Sequence, residues 1–126
     1  MSNGEPELVS FITVEEEDLD LIVAFAVDLG EPGEVASVIL MRTPAYEPLL
    51  PEEDRGMHVS HELYPEEGDD YEMVRRLRWT GGRVEIVSTL RRYVLDVSRV
   101  DAEEVRDAWE LLRRMNFDGR SELDLS

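Results

Sequence analysis

YEMVRRLRWTGGRVEIVSTL, residues 71–90, decides the fold class. Two β-patterned runs, Tyr71–Thr80 and Arg83–Leu90, flank Gly81 and Gly82, and a two-residue glycine turn between such runs predicts a β-hairpin. Along the first arm Tyr71, Met73, Leu77 and Trp79 fall mostly on one face and Arg76 and Arg78 on the other, the two-residue period of a strand.

Upstream, Leu19–Val27 reads as a more apolar strand whose Leu19, Leu21, Val23, Phe25 and Val27 share the face expected to be core. Leu8–Val14 is a strand before it, across the acidic turn Glu15, Glu16, Glu17 and Asp18. After the turn punctuated by Gly30, Pro32 and Gly33, Glu34–Arg42 reads as a third, central strand, and the three predict an antiparallel meander. Pro44, Pro48 and Pro51 exclude continuous regular structure from residues 43–55, the longest loop. Met57–Tyr64 is a candidate fourth strand closed by an acidic turn at residues 65–70, and Tyr93–Val97 a short later one. Downstream, Asp101 stands three residues before Glu104 in a capping-box arrangement that starts a helix. Val105, Ala108, Trp109, Leu112 and Met115 form its apolar stripe, and Arg113 and Arg114 suit its negative end. The helix stops around Asn116 to Gly119, and the tail frays or adds a short edge strand. The expectation is an α+β fold: a mostly antiparallel sheet of about six or seven strands with one C-terminal helix packed on it. It occupies a single domain over residues 1–126, with 1–6 and 120–126 as candidate disordered ends.

Composition narrows the function. At 126 residues the chain fits one core, and 42 % hydrophobic residues supply the apolar surface to fold it. There is no cysteine, which excludes a disulfide framework, a thiolate metal site and a cysteine nucleophile. Met1–Pro6 carries no cationic segment leading into an apolar core, and no apolar run approaches the length of a membrane span, so a cytoplasmic location is the default expectation. The net charge is −17, a field that repels phosphate backbones and anionic headgroups and argues against nucleic acid and membrane as partners. A basic protein is the complementary partner. The charge is uneven: residues 1–72 hold 20 acids against only Arg42 and Arg55, whereas residues 73–126 hold 10 acids against 11 arginines. Every basic residue is arginine, a bias that fits a GC-rich genome or salt adaptation as well as function.

No chemistry-bearing constellation stands out. His58 and His61, three apart in a strand, point to opposite faces and cannot share one metal ion without a bend. The acidic groups at 15–20, 52–54 and 66–72 lack the alternating pattern of a calcium loop. Ser10, Ser37, Ser60, Ser88 and Ser98 sit in no nucleophile elbow, and Gly81 with Gly82 is too short for a phosphate loop. Met73, Trp79, Trp109 and Met115 fit core periodicity better than a ligand pocket. The residues themselves therefore name no catalytic, cofactor or metal site.

Val14–Asp28 with Val38–Arg42, then Asp54, Arg55, Gly56 and Met57, then Gly82, Arg83, Val84, Glu85 and Ile86 follow an order of features over residues 11–90 that resembles a bacterial immunity family, immunity protein ten. Such proteins stand beside polymorphic toxins in contact-dependent competition. The resemblance implies a small α+β protein that binds and neutralises a cognate toxin, commonly a nuclease, without catalysis of its own. Charge gives the same direction, since an acidic protein can cover a basic cleft by imitating its phosphate substrate. On this reading Glu52, Glu53, Asp54, Glu66, Glu67, Asp69 and Asp70 face the partner, because they lie in loops after strands and cluster by sign. A homodimer through exposed strand edges stays open. The alternatives are a housekeeping or structural domain with a salt-adapted surface, or a small ligand binder.

Overall fold

The computed structural model describes residues 6–17, 19–63 and 72–126. Tyr64 and Tyr71, placed in strands by the sequence reading, and the turn at 65–70 lie outside these residues. The glycine hairpin is present: β5 (Val74–Thr80) and β6 (Arg83–Ser88) pair antiparallel down to Thr80 opposite Arg83. Gly81 has φ 60°, the left-handed conformation that a hairpin turn demands and that glycine adopts without steric cost. Gly82 is needed for a second reason. The loop after β7 (Arg92–Asp96) crosses the turn, with Val97 N donating to Gly82 O at 2.7 Å, and a Cβ at Gly82 would lie 2.9 Å from Ser98 Cβ.

The expected meander also forms. β1 (Glu7–Glu17), β2 (Asp20–Asp28), β3 (Val35–Arg42) and β4 (His58–His61) pair antiparallel in sequence order. Two further pairings are parallel and correct the expected sheet. β1 meets β7 through Glu7 opposite Leu95 and Leu8 opposite Asp96, and β8 (Glu122–Leu125) runs along β5. The result is one mixed sheet of eight strands in the order β4-β3-β2-β1-β7-β6-β5-β8. The helix explains the second parallel pair, because α1 (Ala102–Met115) carries the chain back so that β8 enters in the direction of β5. The tail thus takes the edge-strand alternative.

The end strand β4 approaches the chain leading into β5, one strand in from the other end. His58 bridges Met73, with Val59 N donating to Glu72 O at 2.8 Å and Val74 N to Met57 O at 2.9 Å. The sheet therefore curls, and its halves face across a shared core: Phe25 of β2 lies 5.9 Å from Trp79 of β5, which meets Trp109 of α1 edge-on at 6.0 Å. Ala108, Leu111, Leu112 and Met115 seal the helix onto this interior. Val105 and Trp109 pack at its margin, so the stripe read from the sequence gains Leu111. Of the β2 face expected to be core, Val23, Phe25 and Val27 are fully buried, but Leu19 precedes the strand in a turn and is 42 % exposed.

The helix start departs from a capping box. Asp101 accepts from Glu103 N at 2.8 Å, whereas Glu104 turns outward to accept from Ile12 N of β1 at 2.7 Å. β1 is bulged between Val9 and Phe11 and leaves β7 after Leu8, so Glu104 serves a strand N–H with no β7 neighbour. Gly82→Ala is expected to lower the unfolding free energy by about 1–3 kcal/mol, because Ser98 and its backbone must shift to admit the methyl group. Urea denaturation measures this, and a change under a few tenths of a kcal/mol would remove the close-approach argument.

Candidate protein-interaction surface

The first half of the chain has two arginines, of which Arg42 is buried and Arg55 half-buried. Arg42, at the end of β3 on its core side, is 1 % exposed. Its guanidinium has five N–H donors, and each finds an acceptor. Nε and Nη2 reach Glu47 at 2.7 and 2.8 Å; Nη1 and Nη2 reach Asp118 at 2.9 and 2.8 Å; Nη1 also donates to Met115 O at 2.6 Å. Phe117 stacks 4.2 Å from the guanidinium carbon. Glu47 comes from the short 3-10 turn Pro44–Leu49 and also accepts from Gly56 N at 3.3 Å. Arg42 thus ties the proline-rich loop to the C-terminal end of α1. Burial works to lower its pKa, but hydrogen bonds and charges from Asp118 and Glu47 outweigh this and raise it. The hydrogen bonds from Arg42 hold both Glu47 and Asp118 below the usual carboxylate range, against the opposing effect of burial.

Arg55 donates to Leu50 O at 3.0 Å and lies 3.4 Å from Glu52. Arg120 reaches Glu52 at 2.7 Å and Asp118 at 2.9 Å, and its hydrogen bond lowers the Glu52 pKa. Of the acids assigned to the partner, Glu52, Glu53 and Asp54 form a second 3-10 turn. Glu52 is largely answered by arginine, Glu53 is exposed and Asp54 is half-buried. Glu66, Glu67, Asp69 and Asp70 lie outside the described residues.

One buried carboxylate gathers side chains that sequence spacing did not connect. Glu72 accepts from Ser88 Oγ and Tyr93 Oη, each at 2.5 Å, with Arg91 Nε at 3.6 Å and His61 Nε2 at 3.7 Å. Ser88 Oγ also accepts from the N–H groups of Leu90 and Arg91, so the network closes the β6–β7 turn and anchors the approach to β5. His61 faces this network while His58 reaches Asp54 O at 2.9 Å. The register puts His61 opposite inward Val38 and His58 opposite outward Met41, on opposite faces of β4. Among the described residues no three metal-ligating side chains converge, and no helix is long and apolar enough to cross a membrane.

Two surface features remain. Between β1 and α1 an open cleft of about 230 Å³ gathers Glu15, Glu16, Asp107 and Glu110 over Val14 and Leu111, with Arg114, paired to Glu16, as the one base. Sequence reading missed it because only the docking of α1 along β1 joins acids about 90 residues apart in the chain. The second feature is the outward side of the meander. Directly opposed residues share a face, which groups Thr13, Ala24, Ile39 and Ser60, then Glu15, Ile22, Met41 and His58. Its signal was the unbroken apolar run Leu21–Val27, of which a one-sided strand uses half.

No protein family, curated protein or solved structure matches the chain.

Replacing Arg42 by Met leaves Glu47 buried without its counter-ion and is expected to lower the unfolding free energy at pH 7 by about 3–5 kcal/mol. Glu47 and Asp118 have folded pKa values below their ordinary 4.5 and 3.8. Their stabilisation is therefore complete above those values and fades as pH falls through the folded ones. The gap between wild type and Arg42→Met is thus expected to narrow as pH drops from about 6 to about 2. Urea titrations across that range check it; a gap that stays constant would show that Arg42 acts by packing alone.

Proposed function

We propose that the chain is a non-catalytic binding protein, an immunity protein that neutralises a basic toxin such as a nuclease by covering its cationic surface in the cytoplasm. The observation that carries this reading is the partition of charge. Arg42 and Arg55, the first half's two arginines, are spent on Glu47, Asp118, Leu50 O and Glu52, while Glu15, Glu17, Glu31, Glu34, Glu53 and Glu62 remain exposed. Among the second half's arginines, Arg92 and Arg76 pair with Glu85 and Arg78 with Asp124, whereas Arg91, Arg114 and Arg120 reach back to Glu72, Glu16 and Glu52. Most acids of the first half are thereby left uncompensated, the arrangement that speeds encounter with a basic protein. The resemblance to immunity protein ten supports the same reading, and the Arg42 and Asp54 to Met57 segments that carry it meet through Glu47. Nucleic acid is not the ligand, since the field repels phosphate.

Affinity capture from the native host's lysate, with elution by salt and identification by mass spectrometry, is expected to yield one basic protein whose toxic activity the chain suppresses. Recovery of no specific protein at low or high salt contradicts the reading. Once that partner is in hand, Glu15→Lys with Asp107→Lys and Glu110→Lys should slow association by about tenfold or more and flatten its salt dependence. An unchanged association rate removes the β1–α1 cleft from the interface.

A further inference from the structure

We propose that the outward face of β1–β3 is the apolar centre of the interface, and that its occupant is a basic protein presenting apolar side chains within a cationic surround. This rests on the binding reading above and adds to it the surface and the character of the contact.

The sheet supplies its own control. In β5–β7 the outward residues are those of a solvated face: Arg78 opposes Glu85, Arg76 opposes Val87 and Arg83 opposes both Thr80 and Asp96. In β1–β3 the equivalent positions are Phe11, Ile22, Ala24, Ala26, Ile39 and Met41, with Thr13, Ser37 and, at one end, Glu15 among them. Phe11 and Met41 are 44 % and 38 % exposed, and Ile22, Ala24 and Ile39 partly so. Antiparallel sheets with one wet face normally alternate apolar and polar residues, as β5 does and β2 does not. α1 lies on the opposite, inner side, where Leu111 and Leu112 are buried. At the Met41 end a cleft of about 180 Å³ adds Tyr46 and Leu50 to the apolar surface. A contiguous apolar surface bounded by charge marks a binding site.

Charge selects the occupant. Glu15, Glu17 and Asp20 stand at one end of these strands and Asp28, Glu31, Glu34 and Glu62 at the other, with Arg42 turned to the core. A second copy placed face to face by two-fold symmetry sets these acids against themselves, a juxtaposition that costs several kcal/mol. A head-to-tail copy would set this face against a different surface and give a ring or an open filament. A foreign protein with apolar residues ringed by lysine or arginine meets both the centre and the ends.

The test is a phage-displayed random peptide library panned on the full chain, with binding of enriched peptides measured against wild type, Ile39→Ser, Met41→Ser and Glu15→Lys. All three positions are outward, so the variants should keep the wild-type melting temperature; two separate apolar variants guard against one failing to fold. The expected result is enrichment of peptides that combine basic with apolar residues, with each apolar variant binding at least about tenfold more weakly. Three results overturn the inference: no enrichment; peptides lacking basic residues; or binding that depends on Glu15 but not on Ile39 or Met41, which leaves the acidic binding reading standing. Sedimentation of wild type as a dimer that Ile39→Ser dissociates also overturns it, since the face would then belong to a second copy.

Discussion

Five N–H groups of one buried guanidinium hold together distant parts of the chain, and Arg120 adds a more exposed link between Glu52 and Asp118. Arg42 stands at the end of β3, Glu47 in a proline-rich loop and Asp118 beyond the end of α1, and all meet at hydrogen-bond distance. An ion pair at this depth is not stabilising by default, because desolvation offsets much of the attraction. Complete satisfaction of the donors, with Gly56 N adding to Glu47, is what makes the burial tolerable. Removing any one partner leaves the others charged in a poor solvent, so the cluster specifies the arrangement as much as it stabilises it.

The same placement shapes the surface. Arg42 faces inward and, in its own half of the chain, answers only Glu47, while Arg55 is engaged locally with Glu52. The acidic side of the molecule is therefore a consequence of how the core is built and not of composition alone. Beside it lies a sheet face whose apolar outward residues contrast with the arginine-rich outward face of β5 and β6. Acid accelerates encounter over long range, whereas apolar area determines how long a complex lasts. In the proposed reading the two features are complementary parts of one binding surface.

Local physics was legible and long-range order was not. Gly81 and Gly82 announced a hairpin because few other residue pairs permit that turn, and the stripe from Val105 to Met115 announced a helix. Strand alternation carries no information about which strands become neighbours, so the parallel pairings of β1 with β7 and of β8 with β5 were invisible. Glu104 fitted a capping box by spacing alone, yet the bulge in β1 offers it a better donor in Ile12 N. Glu52 looked like a free acid because Arg120 is 68 residues away. Glu72, Ser88 and Tyr93 have no shared motif, and their network exists only once β5, β6 and β7 lie side by side. The apolar outward face of β2 was in plain view, but a rule that assigns one face to the core discards the other.

Hydrogen–deuterium exchange by mass spectrometry on wild type and Arg42→Met reads whether the buried guanidinium couples the proline-rich loop to the end of the helix. Faster exchange is predicted jointly in residues 43–57 and 115–121, with the β5–β6 hairpin unchanged. Acceleration confined to either segment alone, or spread evenly over the whole sheet, would contradict it.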